Sequence, residues 1–201
     1  MRLEMTSISE VRGDSREYLE MNSIDLSKLR LGLPGITPDF GAFLAEAGAV
    51  CFEREGHDPG PLLIIQANFD TLQGRSVSMP VLWLKLIDLR HAIRCWNDTE
   101  FATEYGAVAV AILLMSELTG FAAFARSRKG TGFDYWLGEE DGPPFQKKAR
   151  LEISGIRRGD NAAVAKRVNQ KMKQISPSDG RLPGYIVVVE FGIPMSEVAK
   201  K

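Results

Sequence analysis

The chain has 201 residues, 44% of them hydrophobic and 25% charged, with 25 basic against 26 acidic side chains and a net charge of −1. That is globular composition at the size of one domain, two at most. It excludes a disordered tail, a collagen-like chain and a uniformly basic nucleic-acid coat, although a total charge hides its own distribution.

The first twenty residues alternate charges and hold no apolar h-region, so no secretory signal and a cytoplasmic setting are expected. Residues 1 to about 30 read as a loose polar arm. Leu33-Pro34-Gly35 and Thr37-Pro38 are turn signals. Asp39 to Gly48 has helical spacing, with Phe40, Phe43, Leu44 and Ala47 on one face. Three strands are predicted next, Ala49 to Glu53, Leu62 to Gln66 and Val77 to Leu84, punctuated by Gly, Pro and Asp. Leu86 to Trp96 then reads as a short helix.

Asp98 or Thr99 caps a helix running to about Leu118, and Gly120 stops it. Its apolar run, Gly106 to Met115, is bounded by Glu104 and Glu117. A membrane span needs roughly 20 apolar residues, so this run predicts a buried helix and no membrane partner. Phe121 to Ala125 is a strand, and Arg126 to Gly132 a basic, glycine-rich turn. Phe133 to Leu137 is a second strand, closed by Gly138 and an acidic Gly-Pro-Pro loop, and Ala149 to Ile156 a third. Asn161 to Ile175 is a helix striped by Val164, Val168, Met172 and Ile175. A loop over Pro177 to Gly184 leads to an apolar strand, Tyr185 to Phe191. Strands interleaved with helices argue for an α/β fold with a mixed sheet under helices. Residues 31–201 are expected to form one such domain, its first part an α+β elaboration.

Few side chains offer chemistry. Cys51 and Cys95 are the only cysteines, expected reduced and packed as small hydrophobes. His57 and His91 are too few for a common His/Cys zinc site. Lys129-Gly-Thr-Gly132 lacks the G-x-x-x-x-G-K-[ST] pattern and precedes a strand, so it is no P-loop. The acids are more informative. Strand alternation puts Phe133, Tyr135 and Leu137 on one face and Asp134 and Trp136 on the other. It likewise puts Glu152 and Ser154, with Lys148 and Arg150, opposite Leu151 and Ile153. Neighbouring strands then bring Asp134 and Glu152 to one side, a costly pairing without a cation. Hard oxygen ligands suit Mg²⁺ or Mn²⁺. Glu104, near the start of the long helix, is the third acid of interest.

The order helix, strand, strand, strand, helix, strand over residues 98–191 resembles the restriction-endonuclease-like core of the PD-(D/E)xK nuclease superfamily. Glu104 matches the acid on that family's first helix, Asp134 in Gly132-Phe-Asp134 the acid opening its second strand, and Glu152 the acid of its (D/E)xK motif. The family's lysine position is Ser154, which supplies a hydroxyl but no cation. A relocated cation from the following helix is then needed. Lys166 lies opposite that helix's apolar stripe, whereas Arg167 and Lys171 flank it. The resemblance implies a metal-dependent nuclease, with prokaryotic restriction or defence as its setting. It implies that Asp134, Glu152 and the Ile153 carbonyl hold Mg²⁺ or Mn²⁺, with Glu104 on a linked water or second metal and Ser154 beside them. The substrate it implies is nucleic acid, DNA favoured over RNA, with a homodimer or partner protein compatible. Its alternative is a degenerate nuclease fold that only binds nucleic acid or a partner.

The charge map agrees with a backbone-binding region. Residues 1–120 sum to −7, residues 121–181 to +6, and the rest to zero. The positive block carries Arg126, Arg128 and Lys129 before the proposed hairpin and Lys147, Lys148 and Arg150 after it, as a grip for phosphates.

Overall fold

The computed structural model describes residues 23–139, 146–176 and 182–201. The expected arm over residues 1–22, the Gly-Pro-Pro loop and residues 177–181 of the predicted loop lie outside them. Eight strands form one mixed sheet, in the order β1-β3-β2-β8-β7-β6-β5-β4. In chain order they are β1 Ile24–Asp25, β2 Leu62–Asn68, β3 Arg75–Leu82, β4 Ala122–Arg126, β5 Tyr135–Gly138, β6 Ala149–Ile156, β7 Gly184–Glu190 and β8 Met195–Lys200. Among the described residues are four α-helices, α1 Pro38–Arg54, α2 Leu89–Cys95, α3 Thr99–Thr119 and α4 Asn161–Gln174. The mixed α/β class is therefore as expected.

Helix α3 begins where Asp98 accepts a hydrogen bond from Phe101 N–H, and ends at Gly120 in the left-handed region, φ 71°. Both signals are local, which is why they are readable in the sequence. By length and composition α3 could cross a membrane, but 67% of that stretch is buried inside the fold. Helix α1 starts at the Thr37 cap and continues through Ala49–Glu53, which the sequence reads as a strand. The apolar run Ala49-Val-Cys-Phe52 carries no period of its own. Packing decides it, because α1 lies against α3 at small residues. A Cβ on Gly106 would meet Cys51 Sγ at 2.8 Å, and one on Gly48 would lie 3.6 Å from Ala109 Cβ.

The loose-arm expectation fails for the described residues before 31. Ile24, Leu26 and Leu29 are fully buried, in β1 and a 3-10 turn over Leu26–Leu31. Their spacing is too short to register as a periodic element. Strand β8 was not expected either. It pairs antiparallel with β7 and parallel with β2, so it joins the two halves into one sheet.

The core has two layers. Tyr135, Leu137, Leu151, Ile153, Tyr185, Val187 and Val189 face α1 and α3. Ile186, Val188 and Ala199 face Val164, Val168 and Ile175 of α4 on the other side. Phe133 lies in this second layer with Trp136, ring centroids 4.6 Å apart, and not with Tyr135 as strand alternation predicts. The reason is that β5 begins only at Tyr135, so residues 133 and 134 are free of the alternation.

Candidate active site

The site lies where β5 stops short. β4, β5 and β6 form an antiparallel meander, and β7 runs parallel to β6 on its far side. The β5–β6 pairing covers only Ala149 to Leu151, so residues 152–156 of β6 have no β5 partner. Asp134 fills the first vacant position. Its N–H donates to the Leu151 carbonyl at 2.8 Å, and its Oδ2 accepts from Ile153 N–H at 2.8 Å. The side chain thus continues the ladder where the backbone leaves it. A strand residue turns its N–H and C=O to the same neighbour. The Ile153 carbonyl therefore points past the end of β5, into the opening.

That opening is a cleft of about 650 Å³. Its floor is Asp134, Glu152, Ile153, Ser154 and Gly155. One wall is the start of α3, with Thr99, Thr103 and Glu104, and the other is α4, with Arg167, Lys171 and Gln174. The α3 wall fits closely, since a Cβ on Gly155 would stand 2.4 Å from the Thr103 carbonyl oxygen.

Glu152 is 1% exposed. Its Oε1 accepts from Lys171 Nζ at 2.6 Å and from Gln174 Nε2 at 2.8 Å, while its Oε2 is buried with no hydrogen-bond partner. Burial first, and then the negative charge of Asp134, push its carboxyl up to about 7. Asp134 is also raised, by burial and less so by the charge of Glu104, against the opposing hydrogen bond from Ile153 and the charge of Lys171. The two acids thus sit close enough to oppose each other's ionisation.

The remaining expected residues divide. Ser154 is buried and accepts from Arg167 Nη1 at 2.8 Å. Glu104 lines the cleft but is exposed, and no group of three His, Cys, Asp or Glu comes together to hold a metal among the described residues. Arg126, Arg128 and Lys129 line an adjoining cavity of about 390 Å³ that shares Asp134, Glu152 and Gln174 with the cleft. Lys147 stacks over Trp136, 4.1 Å from the ring centroid, and Lys148 lies 3.5 Å from Glu139. Arg150 does not belong with these surface cations. It is 3% exposed, and its guanidinium donates to the carbonyls of Ile175 and Leu182. Alternation placed it on the α4 side correctly, but that side is covered there.

Gln174 and Arg157 also line the cleft and carry no sequence signal except the i, i+3 spacing of Gln174 from Lys171. The cysteines diverge. Cys51 is buried, its thiol pushed up to about 12 by desolvation, whereas Cys95 is exposed and not packed as a hydrophobe. Comparison with protein-family models, with curated proteins and with solved structures finds no match.

Proposed function

We propose that the chain is a metal-dependent nuclease that hydrolyses phosphodiester bonds, with residues 98–191 as a restriction-endonuclease-like core. The observation that carries this reading is the Glu152 carboxyl, buried against that of Asp134 at the floor of a cleft, with no other side chain donating to its Oε2. Two buried carboxyls facing each other cannot both ionise cheaply without a cation between them. Two acids and the Ile153 carbonyl form an all-oxygen donor set, which fits Mg²⁺ or Mn²⁺. Support for the core comes from the α3-β4-β5-β6-α4-β7 order, the antiparallel meander and the parallel β6–β7 pair.

A bound divalent cation would supply Lewis-acid chemistry, lowering the pKa of water and stabilising charge on the phosphate and leaving oxygen. The chain's own residues prepare for it. Ile153 N–H fixes the Asp134 carboxylate, and Gln174 fixes that of Glu152. Lys171 supplies the cation that Ser154 lacks, one turn along α4 from Arg167. Its ammonium balances Glu152, and can turn to a phosphate oxygen when Glu152 engages a metal. Purified protein with Mg²⁺ or Mn²⁺ should nick or degrade DNA, and Asp134→Ala or Glu152→Ala should abolish it. Cleavage that survives both substitutions would sink the assignment.

The second reading is a non-catalytic binding subunit. The exposed position of Glu104 favours it, because the third acid closes no three-residue metal group with the pair among the described residues. Salt-dependent nucleic-acid binding without cleavage of any substrate would decide for it.

A further inference from the structure

Helix α4 and strand β6 run in step across the cleft. Lys171 meets Glu152, and Arg167, four residues earlier, meets Ser154, two residues later. One helical turn is about 5.4 Å and two strand residues about 6.6 Å, so the contacts repeat with nearly one spacing. The two pairs differ in charge. Lys171 is neutralised by Glu152, whereas the hydrogen bond of Arg167 goes to a hydroxyl and no carboxylate lies within ion-pair reach of it among the described residues. A guanidinium has five N–H donors, and one is used here. Because Ser154 accepts that bond, its own O–H stays available to donate. Beyond them Arg157 lines the end of the cleft. It and Arg158 both pair with Glu55.

We infer that Arg167 and Ser154 form a second phosphate subsite, holding the phosphate next to the one over Asp134 and Glu152 in a bound nucleic-acid strand. This rests on the nuclease reading for its register, but not for its chemistry. The displacement of about two strand residues from Glu152 is close to the step between successive phosphates of a strand. Across the sheet from β6, beyond Asp134, stand Arg126, Arg128 and Lys129. The acids thus have cations both along β6 and across the sheet, charges that a polyanion would neutralise. The subsite also gives Ser154 a task of its own. In this chain the position serves binding, and the cation for chemistry comes from Lys171.

The test is fluorescence anisotropy with a labelled single-stranded DNA of about 20 nucleotides, in EDTA, from about 50 to about 200 mM salt. Arg167→Gln should weaken binding roughly tenfold and flatten the log–log salt slope by about 0.7, the loss of one phosphate contact on a single strand. Arg167→Lys should keep the slope. Ser154→Ala should weaken binding less and leave the slope unchanged, since a hydroxyl carries no charge, and it reads the subsite if Arg167→Gln does not fold. Wild-type affinity and slope in Arg167→Gln, or equal flattening in Arg167→Lys, would overturn the subsite, as would failure of the wild type to bind. Cleavage with Mn²⁺ is scored separately. Binding that depends on Arg167 without cleavage keeps the subsite and ends the nuclease reading. Cleavage with no dependence on Arg167 does the reverse.

Discussion

Glu152 carries the most telling chemistry of any single residue. Its carboxyl is raised from an ordinary 4.5 to about 7, by burial and by Asp134. Between those values the folded chain holds a proton that the unfolded chain has released. Stability therefore falls as pH rises through that window and stays lowered above it. In EDTA, the Tm of the wild type should drop from about pH 4.5 to about pH 7, and Glu152→Gln should drop less. Parallel declines would show that another group titrates. A divalent cation needs the ionised form, so Mn²⁺ affinity measured by calorimetry should rise across the same window, with proton release below pH 7. An affinity flat with pH would exclude Glu152 as a ligand. Strand alternation leads to Glu152 from the sequence, but not to its partners. Those are Lys171 and Gln174, nineteen and twenty-two residues away.

The elements are joined at contacts too close for substitution. Gly155 lets α3 sit directly on β6. In Gly155→Ala the new Cβ would meet backbone, the Thr103 carbonyl, at 2.4 Å. Overpacking of this kind costs about 1–3 kcal/mol, and each kcal/mol lowers Tm by about 2–4 °C at this chain size. A thermal scan should show that loss, and the wall of the cleft should part from its floor. Arg150 works at the other end of β6. It ties the last turn of α4 and the Leu182 carbonyl to the sheet, and so sets the height of Lys171 and Gln174 over Glu152. Arg150→Met withdraws charged donors from buried carbonyls, a loss of about 1–3 kcal/mol. Urea unfolding should register it, and unchanged stability would mean that water takes over those bonds. Helix α3 with its caps, strands β2, β3 and β6, and helix α4 are all readable in the sequence, because capping and periodicity are local. Helix α1 beyond Gly48 is not, because Ala49–Phe52 is apolar on every side and contact with α3 fixes it as helix.

At the scale of the molecule, the N-terminal region is part of the sheet and its core. Ile24, Leu26 and Leu29 are buried against α1 and α3, from a stretch that reads as polar arm. Leu29→Ala should therefore cost about 2–5 kcal/mol, measured by denaturant unfolding, and a loss below 1 kcal/mol would mean that the segment does not pack. The amino-acid sequence encodes in its spacing alone the α/β class, most element positions from residue 98 onward, and the shared face of Asp134 and Glu152. It also sets the cancellation of −7 by +6 beneath a net charge of −1. Packing across the fold makes β8 join the halves, buries Arg150 while Arg167 faces a cleft, and brings Lys171 to Glu152. Those outcomes turn on which surfaces cover one another. Contacts between residues far apart in sequence leave no periodic mark on it.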